Sequence, residues 1–232
     1  MPLPTLEVPT YTAKLPSTNQ HIIYRPFLVK EHKILLTLSE ADNEEVSRVI
    51  AQLVDACTFK KLDIEKLASF DLEYLFLLLR ARSIGETMDL VLTCKNCGHK
   101  NDVKTNLLEA KVVRPEDHNK IIRINEGISL VMRYPKLKDI LHFFQNTNQE
   151  EIYNFVLDSI ESVIVEEEVF DTKDQTREDL DTFVNSMSKA QFDLIENFFN
   201  TMPKVVQHIE KECESCNFKN EVNLEGLENF FV

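Results

Sequence analysis

Cys94-Lys95-Asn96-Cys97-Gly98-His99-Lys100-Asn101-Asp102-Val103 has a counterpart in Cys213-Glu214-Ser215-Cys216-Asn217-Phe218-Lys219-Asn220-Glu221-Val222. Both segments read C-x-x-C-x-x-K-N-acid-V. Two cysteines three apart in a tight turn present both sulfurs on one side, each about 2.3 Å from a shared Zn²⁺. Two such turns complete a tetrahedron. Cys94, Cys97, Cys213 and Cys216 are therefore the expected ligands of one zinc ion per chain. A closed set of four thiolates leaves no position for water, so the metal is expected to be structural. His99 and His208 lie nearby in sequence and are expected at the surface. Two unrelated turns with free thiols are the alternative. A redox role is weaker, because it calls for one C-x-x-C opening a helix, whereas strand-like sequence flanks both of these.

The 115 residues between Cys97 and Cys213 set this pattern apart. An ordinary ribbon separates its halves by roughly 15–20 residues. Loop-closure entropy grows only logarithmically, so the longer loop is permitted. A structural zinc site contributes on the order of 10 kcal/mol, enough to fasten the ends of an insertion.

Outward from the first turn, Met88–Thr93 and Lys100–Leu108 read as strands. Upstream, Asp71–Gly85 is apolar almost all round from Tyr74 to Leu79, as in a helix buried on most sides. Ser69 is placed to cap it and Gly85 to end it. Before it, Val46, Val49, Ile50, Leu53, Val54 and Cys57 share a helical stripe, with Asp42 and Glu45 as a capping box. Cys57 on that stripe reads as a buried small hydrophobe. His21–Leu38 has strand-like stretches around Pro26. Residues 1–20, with prolines at 2, 4, 9 and 16, read as an extended arm.

Downstream, IIRI and ISLVMRY flank Asn125-Glu126-Gly127 as a hairpin. From Pro135 the pattern turns helical. Leu137, Ile140, Leu141 and Phe144 form one face; Ile152, Phe155, Val156 and Ile160 form a second. Thr176 opens a helix bearing Leu180, Phe183, Val184 and Met187. Ser188 with Gln191 caps another bearing Phe192, Ile195, Phe198, Phe199 and Met202, which Pro203 stops. Glu166-Glu167-Glu168 sit in a loop or at a strand edge. The expected fold is α+β: a small antiparallel zinc-ribbon-like β element, split by a helical insertion and packed with N-terminal helices. The expected domains are an arm over 1–20, a core over 21–134 plus 204–232, and a helical insertion over 135–203.

The chain has 232 residues and a net charge of −13, which disfavours nucleic acid and anionic lipid as partners. Four glycines are too few for a phosphate-cradling loop. No catalytic motif is present, the longest apolar run is too short to span a bilayer, and the N-terminus is not a signal peptide. Paired C-x-x-C spacing fits a reducing cytoplasm.

Tyr24–Leu36 (YRPFLVKEHKILL) and Phe70–Gly98 (FDLEYLFLLLRARSIGETMDLVLTCKNCG) resemble the T4-type bacteriophage baseplate proteins that assist assembly of the baseplate hub. Arg25-Pro26-Phe27, Lys30-Glu31, Asp71, Tyr74, Leu75, Arg80, Arg82, Ser83, Gly85, Glu86 and the first cysteine turn carry the resemblance, which extends loosely over 20–230. It implies a late, non-enzymatic protein that binds other tail or hub proteins, located in the host cytoplasm or the virion tail baseplate. Three roles follow as expectations: an assembly factor, a permanent hub subunit, or, from another class, a zinc-ribbon nucleic-acid-binding regulator. An enzyme using zinc-bound water would need an open coordination position. Arg80 and Arg82 read as ion-pair partners near a helix C-terminus. The phenylalanines at helical intervals read as core, or as a groove for a partner helix.

Overall fold

The computed structural model describes residues 6–36, 43–137, 139 and 149–225. It is mixed α+β, with antiparallel sheets throughout. Two compact units result: Met1–Val113 with Lys204–Val232, and Arg114–Pro203.

The first unit begins with a hairpin of β1 (Tyr11–Lys14) and β2 (His21–Tyr24). Tyr11–Lys14 was expected to lie in the extended arm over 1–20, whereas His21–Tyr24 is strand as expected. Leu15 is buried, its N–H donates to the Gln20 carbonyl, and Asn19 takes a positive φ of 59°, a conformation asparagine tolerates. Side-chain contacts pin the hairpin to α3 (Ser69–Ser83). The Ser17 N–H donates to Asp71 Oδ1 at 3.0 Å and the Ser17 hydroxyl bonds Oδ2. The Arg82 guanidinium lies over the Tyr11 ring at 4.8 Å.

After Pro26, the strand-like reading gives way to a helix, α1 (Val29–Leu35). The Glu31 carboxylate accepts the Leu28 N–H at 2.7 Å, which caps the first turn. The same carboxylate pairs with the buried Arg25 at 2.9 Å. α2 (Asn43–Cys57) carries the expected apolar stripe, with Ile50, Leu53, Val54 and Cys57 all buried. Its expected capping residue, Asp42, lies outside the described residues. α3 is buried on most sides, as its all-round apolar sequence implies. Ser69 is its first helical residue rather than its cap; Ala68 occupies the cap position. At the other end Gly85 follows the Ile84 cap, and the Ser83 hydroxyl accepts the Phe27 N–H at 2.8 Å.

Leu77 and Ala81 of α3 pack with Met88, Leu107, Ala110 and Val205. That layer joins the helix to the strands that carry the cysteines. β3 (Thr87–Thr93) pairs with β4 (Lys100–Asn106), and β10 (Lys204–Glu212) with β11 (Lys219–Glu225). The two hairpins share one register: Thr93 faces Lys100 and Glu212 faces Lys219, each pair closing a cysteine turn. β10 also pairs with β5 (Lys111–Val113), and Lys204 lies directly opposite Val113.

The second unit is not purely helical, as a helical insertion over 135–203 would require, and it begins at Arg114. It contains a four-stranded meander: β6 (Ile121–Arg123), β7 (Ile128–Met132), β8 (Ile160–Val165) and β9 (Glu168–Asp171). The hairpin around Asn125 forms as expected, with Asn125 Oδ1 accepting the Gly127 and Ile128 N–H groups at 2.9 and 2.8 Å. Ile160 opens a strand instead of closing a helix, because Ile160-Glu-Ser-Val-Ile-Val is β-branched and alternating. Glu166 takes a φ of 55° in the tight turn between β8 and β9.

Among the described residues three helices pack on this sheet: α4 (Gln149–Asp158), α5 (Arg177–Asn185) and α6 (Lys189–Thr201). α5 and α6 carry full capping boxes, Thr176 with Asp179 and Ser188 with Gln191. Leu130, Met132, Leu157, Ile160, Val184, Ile195 and Phe198 form the core. The face expected from Leu137, Ile140, Leu141 and Phe144 falls largely outside the described residues.

Candidate metal centre

Each cysteine turn is closed by its own backbone. The Cys94 N–H donates to the His99 carbonyl at 2.8 Å and the Gly98 N–H to the Cys94 carbonyl at 3.0 Å. In the second turn Cys213 N–H bonds the Phe218 carbonyl and Asn217 N–H the Cys213 carbonyl, both at 2.9 Å. Gly98 and Asn217 occupy equivalent positions with φ of 73° and 57°. Glycine and asparagine are the residues that accept this left-handed conformation at least cost.

All four expected ligands come together. The Sγ atoms of Cys94, Cys97, Cys213 and Cys216 lie within 4.8 Å of one another. Cys94 Sγ is 3.8 Å from Cys216 Sγ, and Cys97 Sγ is 3.6 Å from Cys213 Sγ. A tetrahedron with arms of ~2.3 Å has edges of about 3.8 Å, so the spacing fits an ion of zinc's size and thiolate preference. The first cysteine of each turn is buried, while Cys97 is exposed and Cys216 half-buried. The Asn96 N–H points at Cys94 Sγ (3.4 Å) and its side-chain amide at Cys216 Sγ (3.6 Å).

These donors show in the acidities. Burial raises the Cys94 thiol, but N–H groups of Cys97 and Asn96 outweigh it and bring its pKa to about 6. For Cys97 the His99 N–H lowers the value, yet the neighbouring sulfurs push it up to about 12. Thiolates this close repel one another, which is the electrostatic reason such a cluster suits a dication.

Two residues of the repeat turn out to hold the halves together. Asn101 and Asn220 are almost fully buried. Asn101 Oδ1 accepts the N–H of Glu214, in the opposite turn, at 2.9 Å. Asn220 Oδ1 accepts the N–H of Lys95 at 3.0 Å. Each side chain also donates to its own hairpin: Asn101 to the Leu92 and His99 carbonyls, Asn220 to those of Lys211 and Phe218. Sequence reasoning recorded these asparagines without assigning them a role. The available signal was an asparagine seven residues after the first cysteine in both copies. Gln207 adds a further tie, donating to Thr105 Oγ1 at 2.9 Å.

His99 and His208 are not among the clustered residues. Both ring nitrogens of His208 are engaged, by Asn223 at 2.8 Å and Glu210 at 3.1 Å. Cys57 stands apart, buried against Arg25, with burial pushing its thiol up to about 11. Arg82 pairs with Glu86, as an arginine near the helix end was expected to do. No described helix is long and apolar enough to cross a membrane.

A family model described as T4 bacteriophage base plate protein matches residues 8–232. No curated protein and no solved structure matches the chain.

Proposed function

The chain belongs to the T4 bacteriophage base plate protein family, and from that membership we propose that it is a protein-binding assembly factor for the baseplate hub, built around a zinc-ribbon-like frame. Cys94, Cys97, Cys213 and Cys216 would hold one structural zinc ion. The observation that carries the metal reading is the convergence of the four sulfurs within 4.8 Å of one another, two pairs of them at 3.6 and 3.8 Å. Four thiolates would fill the coordination shell, which favours a structural over a hydrolytic role. A net charge of −13 favours basic protein partners over nucleic acid.

A second reading is that of a permanent subunit, and the family's description as a base plate protein favours it. Quantitative mass spectrometry of purified virions separates the two. An assembly factor is present in infected-cell extracts and substoichiometric in finished tails. Stoichiometric copies in the tail would establish the permanent subunit instead. Metal analysis of the reduced protein tests the site, with one zinc per chain expected and none ruling it out.

A further inference from the structure

The inserted unit concentrates the acidity of the chain. Residues 114–203 contain 18 acidic and 9 basic residues, giving −9 of the total −13. Its sheet ends at β9, which is hydrogen-bonded to β8 on one side. Among the described residues no strand pairs with the other side of β9. An open edge of this kind usually carries lysine, proline or a bulge that blocks pairing. β9 is Glu168-Val169-Phe170-Asp171 in regular register with β8, and has none of these; what guards it is its four-residue length and its two carboxylates, which repel an acidic strand and admit a basic one.

Its apolar residues are exposed: Val169 is 65% accessible and Phe170 39%. Phe170 borders an open groove with Val163, Val165, Leu180 and Phe183, between the sheet and α5. Glu166 and Glu167 form the turn into β9 and Glu168 opens it, all three exposed. Among the described residues these three glutamates have no ion-pair partner.

We propose that β9 is a strand-addition site for an extended segment of a partner protein, with an apolar centre and lysine or arginine flanks. Main-chain hydrogen bonds to the free edge would supply affinity, as in other strand-addition complexes. Apolar side chains of the added strand would lie beside Phe170 and extend the layer over the groove. The basic flanks would meet Glu166–Glu168 at one end and Asp174 at the other, Asp171 being engaged already by Lys173. Charge argues against a second copy of this chain as the occupant, because two units of −9 would be brought edge to edge. The site stands independently of the zinc reading, since it lies wholly within the inserted unit.

The test is a titration of the full-length protein with the capped peptide Lys-Lys-Ile-Val-Ile-Lys-Lys, followed by fluorescence anisotropy and by hydrogen exchange at β9. Saturable binding is expected, with protection of the β9 amides and weakening between 50 and 300 mM salt. N-methylation of alternate peptide nitrogens should abolish it. The exposed double variant Glu167→Lys/Glu168→Lys, with an unchanged circular dichroism spectrum, should weaken it at least tenfold. Phe170→Asp should weaken it similarly. Absence of saturable binding, binding indifferent to N-methylation, or protection outside β9 would overturn the proposal. So would a wild-type dimer in sedimentation that Phe170→Asp disrupts, because the edge would then belong to a second copy.

Discussion

Single side chains decide how the two cysteine turns meet. Replacing Cys213 by serine removes a buried sulfur and leaves three candidate ligands, so metal and stability should fall together. Loss of zinc by elemental analysis and a Tm lower by about 10 °C or more are expected. Asn101→Ala or Asn220→Ala strips a cross-turn hydrogen bond and two ties to its own hairpin. Each should cost about 1–3 kcal/mol in denaturant unfolding and speed zinc transfer to a chelator, with all cysteines still in place. In the inserted unit, His118 is buried, with Nδ1 3.0 Å from Thr201 Oγ1 and Nε2 3.1 Å from Tyr134 Oη. Burial, helped by the Arg114 charge, holds its pKa below the ordinary 6.5. The folded chain thus keeps the ring neutral where the unfolded chain would take a proton. Its contribution is complete above pH 6.5 and is lost as pH falls towards the lower folded value. His118→Gln should flatten that part of the stability–pH curve relative to the wild type.

At the scale of elements, caps and ion pairs set where helices begin. The Ser188–Gln191 box was visible in the sequence because both partners are local. Ser188→Ala should lower stability by about 1 kcal/mol, measured by chemical denaturation. The start of α1 depends instead on Glu31, whose carboxylate serves both the Leu28 N–H and the Arg25 guanidinium. Glu31→Ala would leave a buried guanidinium without its carboxylate and should cost about 3 kcal/mol. Nothing local distinguished this helix from a strand after Pro26, because the deciding partner, Arg25, is held by residues of α2 more than thirty positions away. β8 was missed, and β9 was read only as far as a loop or strand edge at Glu166–Glu168, for a related reason. The apolar residues of β8 follow directly on a helix, and the pairing of β8 with β7 and of β9 with β8 is invisible to a scan for local period.

At the scale of the whole chain, the inserted unit leaves from Val113 and returns at Lys204, which face each other across the β5–β10 ladder. The ladder, rather than the cysteine cluster, therefore holds the ends of the insertion. A metal held by the four sulfurs would fasten one hairpin to the other. Replacing 114–203 by Asn-Gly, a turn suited to a two-residue hairpin, should leave a protein that folds and binds one zinc. An unfolded product, or a folded one without metal, would show that the first unit depends on the insertion.

The sequence by itself determined the four sulfurs, the repeated turns, the buried α3 and the capped helices of the insertion, together with the resemblance to a baseplate family. Those features rest on spacing and neighbouring residues, which the chain displays directly. Only the tertiary structure decided that residues 11–24 form a hairpin, that the insertion starts at Arg114 around its own sheet, and that Asn101 and Asn220 each reach across to the opposite turn. Each of these depends on hydrogen bonds between residues far apart along the chain, and such partners become neighbours only when the folded packing brings them together.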